Sequence, residues 1–153
     1  MQEDFATSRS IELIARGVVI HNGKILLCKG KTFDNYYFPG GHVEFNEDSR
    51  EALEREIKEE TGAVITDTRF IGALENQFGQ NGMEKHELNI VFEARITSPE
   101  IKNLEDHIET AWIPLTDYKK TFILPTLLKE KIAQWMQDKQ VFFGSEKENG
   151  RLA

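Results

Sequence analysis

The apolar positions of this chain change period along its length, and the changes mark out its elements. Residues 11–20 (IELIARGVVI) form a dense, β-branched run that fits a strand. His21-Asn22-Gly23-Lys24 follows as a turn, Asn-Gly being the favoured pair for a tight hairpin, and Ile25 to Cys28 is the returning strand. Val64 to Phe78 predicts one long or bent strand, broken near Gly72, and Gly79-Gln80-Asn81-Gly82 reads as a turn. From Glu87 to Ile96 the apolar residues Leu88, Ile90, Phe92, Ala94 and Ile96 alternate with other residues, the period of a half-buried strand. Thr97 to Asp106 is a loop around Pro99. After Leu124-Pro125 the period becomes helical: from Thr126 to Gln137, residues Leu127, Leu128, Ile132, Trp135 and Met136 lie close to one stripe, which predicts a core-facing helix.

Between the two strand-rich halves lies a different pattern. Gly40 to Gly62 reads GGHVEFNEDSREALEREIKEETG. Asn46 or Asp48 can cap a helix here, Glu47 and Asp48 suit its positive end, and Gly62 suits a left-handed exit. At about 100° per residue, Glu56, Glu59 and Glu60 share the arc that Ala52, Leu53 and Ile57 turn toward the protein body. Glu51, Glu54, Arg55 and Lys58 fall on the other side, where Glu51–Arg55 and Glu54–Lys58 have the spacing of ordinary surface ion pairs. An acidic helix alone is commonly just a solvated face. Three carboxylates on the inward arc are different, because they repel one another unless a cation compensates, and hard oxygen donors suit Mg²⁺ or Mn²⁺.

Composition narrows the reading. At 153 residues, with 39% hydrophobic and 29% charged positions, the chain has the size and composition of one globular domain. We expect a flexible arm over 1–10, a single domain over 11–139 and a flexible tail over 140–153. No apolar run approaches membrane-spanning length and the first residues, MQEDFATSRS, are polar, so a cytoplasmic protein with no membrane partner is expected. The lone cysteine, Cys28, is expected to be a small core hydrophobe. A formal charge of −7 and the lack of a basic stripe argue against nucleic acid as a partner. They accommodate a phosphate-bearing small molecule only if divalent ions stand between the two sets of negative charge.

Counted from Gly41, the polar and glycine positions are Glu47, then Arg55-Glu56-Ile57, then Glu59-Glu60 and Gly62. This resembles the Nudix box, G-x5-E-x7-R-E-U-x-E-E-x-G-U, in which U is a bulky aliphatic residue. Every glycine, glutamate and arginine is present. The single departure is Ala63 at the last aliphatic place, which touches packing rather than chemistry. The resemblance implies an α/β chain with the Nudix fold, an α/β/α sandwich around a mixed central sheet. It also implies a metal-dependent hydrolase that cleaves the pyrophosphate linkage of a nucleoside diphosphate joined to another group, with Mg²⁺ or Mn²⁺ as cofactor and a small-molecule nucleotide as partner.

By position, the resemblance implies metal ligation and catalysis by Glu56, Glu59 and Glu60, with the Gly40 carbonyl completing the metal's shell. Gly41, Glu47, Arg55 and Gly62 would be structural, Glu47 and Arg55 as an ion pair bracing helix and loop. Lys29, Lys31, Glu44, Phe78 and His86 are candidate substrate contacts, and Glu105, Asp106 or Glu109 a candidate extra carboxylate from the loop before Trp112. Phe33, Tyr36, Tyr37, Phe45 and Phe78 are aromatic candidates for stacking on a base. Neither the downstream proline of ADP-ribose-selective members nor the tyrosine of dinucleoside-polyphosphate members has a counterpart at Asn76-Gln77-Phe78-Gly79-Gln80. The coenzyme A signature is absent too, which leaves nucleoside triphosphates, nucleotide sugars or a broad specificity. A non-catalytic nucleotide-sensing module and an RNA 5'-pyrophosphohydrolase are the alternatives, and a homodimer is compatible with either.

Overall fold

A computed structural model describes residues 9–147. The arm expected over 1–10 lies almost wholly outside the described residues. In chain order the elements are β1 (Ile11–Val18), β2 (Ile20–His21), β3 (Lys24–Gly30), β4 (Tyr36–Tyr37), β5 (Gly40–His42) and α1 (Ser49–Thr61). They continue with β6 (Ile65–Gln80), β7 (Met83–Ile96), β8 (Ile108–Pro114), a 3-10 turn (Leu115–Asp117), α2 (Thr126–Asp138) and β9 (Phe142–Lys147). Five strands form one sheet in the order β5-β1-β7-β6-β9. It is mixed: β1 runs parallel to β7 and β9 parallel to β6, while β6–β7 and β1–β5 are antiparallel. A second, smaller sheet centres on β3, which pairs with β2, β4 and β8, all antiparallel.

Both core faces are explained by side-chain alternation. On β3, Ile25 and Leu27 join Val18, Phe38, Leu74, Val91 and the α2 residues Leu128, Ile132 and Trp135. The intervening Leu26 joins Ala15, Val19 and the α1 residues Ala52, Leu53 and Ile57. That is why the run KILLC is apolar at successive positions: the strand is covered on both faces. Sheets thus separate a core packed on α1 from one packed on α2, the expected α/β/α sandwich. Ala63 is buried in the α1 core with Leu53 and Ile57, so the departure from the aliphatic pattern is a packing substitution.

The break expected near Gly72 is only a register shift in the β6–β7 ladder between Phe70 and Gly72, and β6 continues through it. The turn after it is tighter than the four residues anticipated: Gly79 and Gln80 stay in β6, and Asn81-Gly82, both at positive φ, make the reversal. One expectation needs correcting. Residues 142–147, expected to be flexible tail, form β9, a parallel edge strand paired with residues 72–77 of β6. Gly-Ser-Glu-Lys is a polar string, but an edge strand is held through its backbone, and Phe142 packs against the α2 core. No helix among the described residues is long and apolar enough to cross a membrane.

Candidate functional site

The site begins with how α1 is started. Asp48 is the N-cap, its Oδ1 accepting from the amides of Arg50 and Glu51 at 2.9 Å each. Glu51 completes a capping box by accepting from the Asp48 amide at 2.8 Å. Glu51 is therefore committed to the cap and makes no ion pair with Arg55 in the structure; the spacing was right and the partner was wrong. Gly62 closes the helix at φ 76° with its amide bonded to the Lys58 carbonyl.

Arg55 turns back toward the loop before the helix. Its Nε and Nη2 grip both oxygens of Glu47 at 3.1 and 2.7 Å, and Nη2 also donates to the His42 carbonyl at 3.0 Å. This is the brace expected of Glu47 and Arg55, and its strength shows in both partners: the guanidinium's carboxylate bonds hold Arg55 above its ordinary pKa, and the Arg55 hydrogen bond holds Glu47 below the usual carboxylate value. The Glu47 carboxylate also receives the Glu44 amide at 2.8 Å. Nη1 reaches Glu56 at 2.9 Å and Glu59 at 3.4 Å. Arg55 thus stands among the carboxylates instead of facing away from them.

Two glycines bring backbone against this cluster. At Gly41 a Cβ would overlap the Glu56 carboxylate, and at Gly40, held at φ 138°, one would overlap the Ala15 carbonyl. Only glycine allows the β5 backbone to lie this close to both α1 and β1.

Glu60 is the most unusual member. It is 4% exposed, and its nearest polar partner is the Cys28 thiol at 3.7 Å. Burial first, then the charge of Glu56, push its carboxyl up to about 8; Glu105 adds to the rise and Arg16 opposes it. Cys28 is raised as well, by burial and by Glu60, which fits an inert core thiol. Among the described residues no three acidic, histidine or cysteine side chains stand as a ready-made ion cage. The donor chemistry nonetheless fits a hard divalent cation: every candidate is a carboxylate or carbonyl oxygen, and a buried carboxyl raised by a like neighbour is what such a cation would relieve.

A cleft of about 570 Å³ opens over the α2-facing side of the five-stranded sheet, and Glu56, Glu59 and Glu60 are not among its lining residues. Its walls include Arg16, Lys31, Phe33, Tyr37, Asn76, Phe78 and Glu87. Arg16 donates to the Phe38 carbonyl at 3.1 Å and to Asn89 Oδ1 at 3.3 Å, and lies 5.7 Å from the Tyr37 ring centre. Its charge and that of Glu60 both act on Tyr37, whose hydroxyl is raised mainly by burial, so cleft wall and carboxylates are electrostatic neighbours.

Of the candidate substrate contacts, Lys31 and Phe78 line the cleft, as do Phe33 and Tyr37. Lys29 instead stacks its ammonium over Tyr36 at 5.7 Å, Phe45 is fully exposed, and Glu44 is exposed with its carboxylate 3.8 Å from Arg55. His86 is not brought to the cleft: its neighbour Glu87 faces it, so alternation puts His86 on the opposite side of the sheet, bonded to Glu75 at 3.2 Å. Of the three candidate extra carboxylates, Glu105 is half-buried and acts on Glu60, Asp106 is exposed, and Glu109 is exposed and lies on β8, not in the loop. Sequence reasoning missed Arg16, Asn76, Asn89 and Glu87. A charged residue inside the otherwise apolar run of β1 was the available signal for Arg16.

These features together, a brace between loop and helix, carboxylates on the helix flank and a cleft over the sheet, sit on a scaffold of the α/β/α class. The NUDIX domain family model matches residues 12–138, and the chain belongs to that family. It is 33% identical over 107 residues to an ADP-ribose pyrophosphatase of Methanocaldococcus jannaschii, covering 68% of this chain and 62% of that protein. It is 31% identical over 129 residues to the m7GpppN-mRNA hydrolase of Saccharomyces cerevisiae, covering 79% of this chain but only 12% of that protein. The chain therefore matches less than two thirds of the length of these relatives. Among solved structures, a MutT protein from Bacillus halodurans superposes with a TM-score of 0.79 at 16% identity, covering 94% of each chain, a likeness of fold.

Proposed function

We propose that this protein is a metal-dependent pyrophosphohydrolase acting on a nucleoside diphosphate linked to another group, a nucleoside triphosphate or nucleotide sugar. The observation that carries the reading is Glu60, a buried carboxyl raised to about 8 beside Glu56, next to a cleft whose wall holds Arg16 and Lys31. A structural helix gains nothing from burying a carboxylate with only a thiol for company; a site that receives a cation does. Glu56, Glu59 and Glu60, with the Gly40 carbonyl, would hold Mg²⁺ or Mn²⁺. When bound, the ion would neutralise diphosphate charge and acidify a water.

The chain's own residues do the rest. Arg55, braced on Glu47, keeps Glu56 and Glu59 oriented, the two carboxylates that would hold the cation together with Glu60. Lys31 and Arg16 draw the phosphates to the cleft mouth as positive charges. Phe33, Tyr37 and Phe78 offer faces on which a base stacks. Water oxygen bonds to phosphorus as the bridging P–O bond breaks, and the water's proton passes to a carboxylate of α1 or to Glu105.

The test is product release from a panel of triphosphates, ADP-ribose, nucleotide sugars and dinucleoside polyphosphates, with Mg²⁺, Mn²⁺ or EDTA, for wild type and Glu59→Gln. Expected is cleavage that EDTA abolishes and that Glu59→Gln lowers by roughly 10²–10³-fold. Cleavage of nothing in the panel, alongside a nucleotide that raises the melting temperature, would replace the enzyme with a nucleotide-sensing module.

A further inference from the structure

Glu87 differs from the glutamates around it on the same sheet. Glu75, on the opposite face, is bonded to His86 at 3.2 Å and to Ser145 at 3.0 Å. Glu12, the register partner of Glu87 on β1, is engaged by His42 and Lys85 at 3.3 and 3.7 Å. Glu87 lines the cleft, half-buried, with no hydrogen bond or ion pair to its carboxylate among the described residues. Burial is the first cause that raises its pKa; Glu12 adds to the rise, and Arg16, His42 and Lys85 oppose it. A partly desolvated carboxylate without a donor is costly to keep, so it calls for a donor from outside the chain.

Alternation fixes what flanks Glu87 along the sheet. Residues of one face recur at every second position, in rows about 7 Å apart. One row back stands Asn89, whose Oδ1 accepts from Arg16 Nε at 3.3 Å. One row on stands Phe78, paired with Lys85 and lining the cleft. The floor of the cleft thus presents a guanidinium, then a carboxylate, then an aromatic ring. Arg16 marks the end toward the α1 carboxylates, since its charge acts on both Glu60 and Glu87. A nucleotide carries phosphate, ribose and base in that same order. With phosphates at Arg16 and a base on Phe78, the sugar falls over Glu87.

We propose that Glu87 is the ribose acceptor of this cleft, taking hydrogen bonds from the 2'- and 3'-hydroxyls and so favouring ribonucleotides over 2'-deoxyribonucleotides. An ionised carboxylate offers two acceptor oxygens, which suit two neighbouring hydroxyls, and each bond is charge-assisted. A phosphate in the same place would meet repulsion instead. Removing the 2'-hydroxyl takes away one of the two donors and leaves a desolvated oxygen unpaired. This rests on the nucleotide reading above and deepens it.

The experiment pairs ATP with dATP, GTP with dGTP, CTP with dCTP and UTP with dUTP, so that only the 2'-hydroxyl changes within a pair. One arm measures kcat/KM with Mg²⁺; the other is equilibrium dialysis in EDTA, where no cleavage occurs. Wild type is expected to prefer the ribo form of its best base by about tenfold or more in both arms. Glu87→Leu is expected to bring that ratio down toward one through the ribonucleotide alone, leaving the deoxy form within about twofold of wild type. If that variant folds poorly, Glu87→Gln, which keeps the shape and gives up the charge, is expected to narrow the ratio by about threefold or more. Equal handling of ribo and deoxy forms by wild type, or an unchanged ratio in the variants, overturns the proposal. If no nucleotide is hydrolysed, the enzymatic reading fails and the dialysis ratios alone decide this one; if none binds either, both fall.

Discussion

α1 and α2 are both thirteen-residue helices, and each lies on one face of the same sheets. They are built to different ends. α1 is held at both termini, by the Asp48–Glu51 capping box and by Gly62, and it buries a glutamate along with Ala52, Leu53 and Ile57. α2 begins at Pro125 without any side-chain cap and ends at Lys139 with a left-handed residue that is not glycine. Its inward residues are Leu128, Ile132 and Trp135, apolar throughout. Local hydrogen bonds fix the ends of the helix that carries the carboxylates; tertiary packing fixes the other. A helix whose flank must hold charged groups cannot draw all its stability from that flank, so its ends supply part of it.

The comparison breaks most sharply at Trp135, 3% exposed against the core. Trp135→Ala is expected to lower unfolding stability by about 3–5 kcal/mol in a denaturant titration. At temperatures where the variant remains folded, its turnover should stay near wild type, whereas Glu59→Gln does the reverse. A Trp135→Ala protein that is stable yet inactive would mean that α2 has a part in the chemistry.

Glu60 gives the next effect, in the metal-free protein. Its folded value, about 8, lies above the ordinary 4.5, so the protonated form is the one the fold favours. Its stability is full below about pH 4.5 and is lost as pH rises toward about 8. Melting in EDTA between pH 5 and 8 should show a decline on the order of a few kcal/mol that Glu60→Gln largely removes. An identical decline in the variant would assign the titration to another group.

The smallest effect compares the helix starts. Asp48→Ala should cost about 1 kcal/mol, while Thr126→Ala at the uncapped start of α2 should stay within about 0.5 kcal/mol. Equal losses would remove the distinction between the two ends.

What was legible in the sequence follows the same division. The helix over Ser49–Thr61, its glycine exit, the Asn22-Gly23 turn and an irregularity near Gly72 are local, and their chemistry is written in adjacent residues. α2 was legible because its apolar stripe repeats at helical period. β9 was not: its hydrogen bonds run to β6, some seventy positions away, and its own residues alternate weakly. The shared arc of Glu56, Glu59 and Glu60 followed from helical geometry, but the wheel put Arg55 on the wrong side because a long side chain can reach around its own helix to Glu47 and Glu56. His86 at a strand end and Asn76 ten residues upstream looked alike as polar strand residues. Alternation sends one away from the cleft and the other into it, and only the pairing register reveals which.

The edge position of β9 bears on how this chain tolerates damage. A proteolytic nick after α2 would strip away a strand and leave residues 72–77 of β6 with unpaired backbone groups, a template onto which another molecule's strand can add. It would also carry off Glu146, which lines the cleft. A clipped preparation would thus be expected to aggregate and to lose one wall of the cleft at once, with no change in the helix that holds the carboxylates.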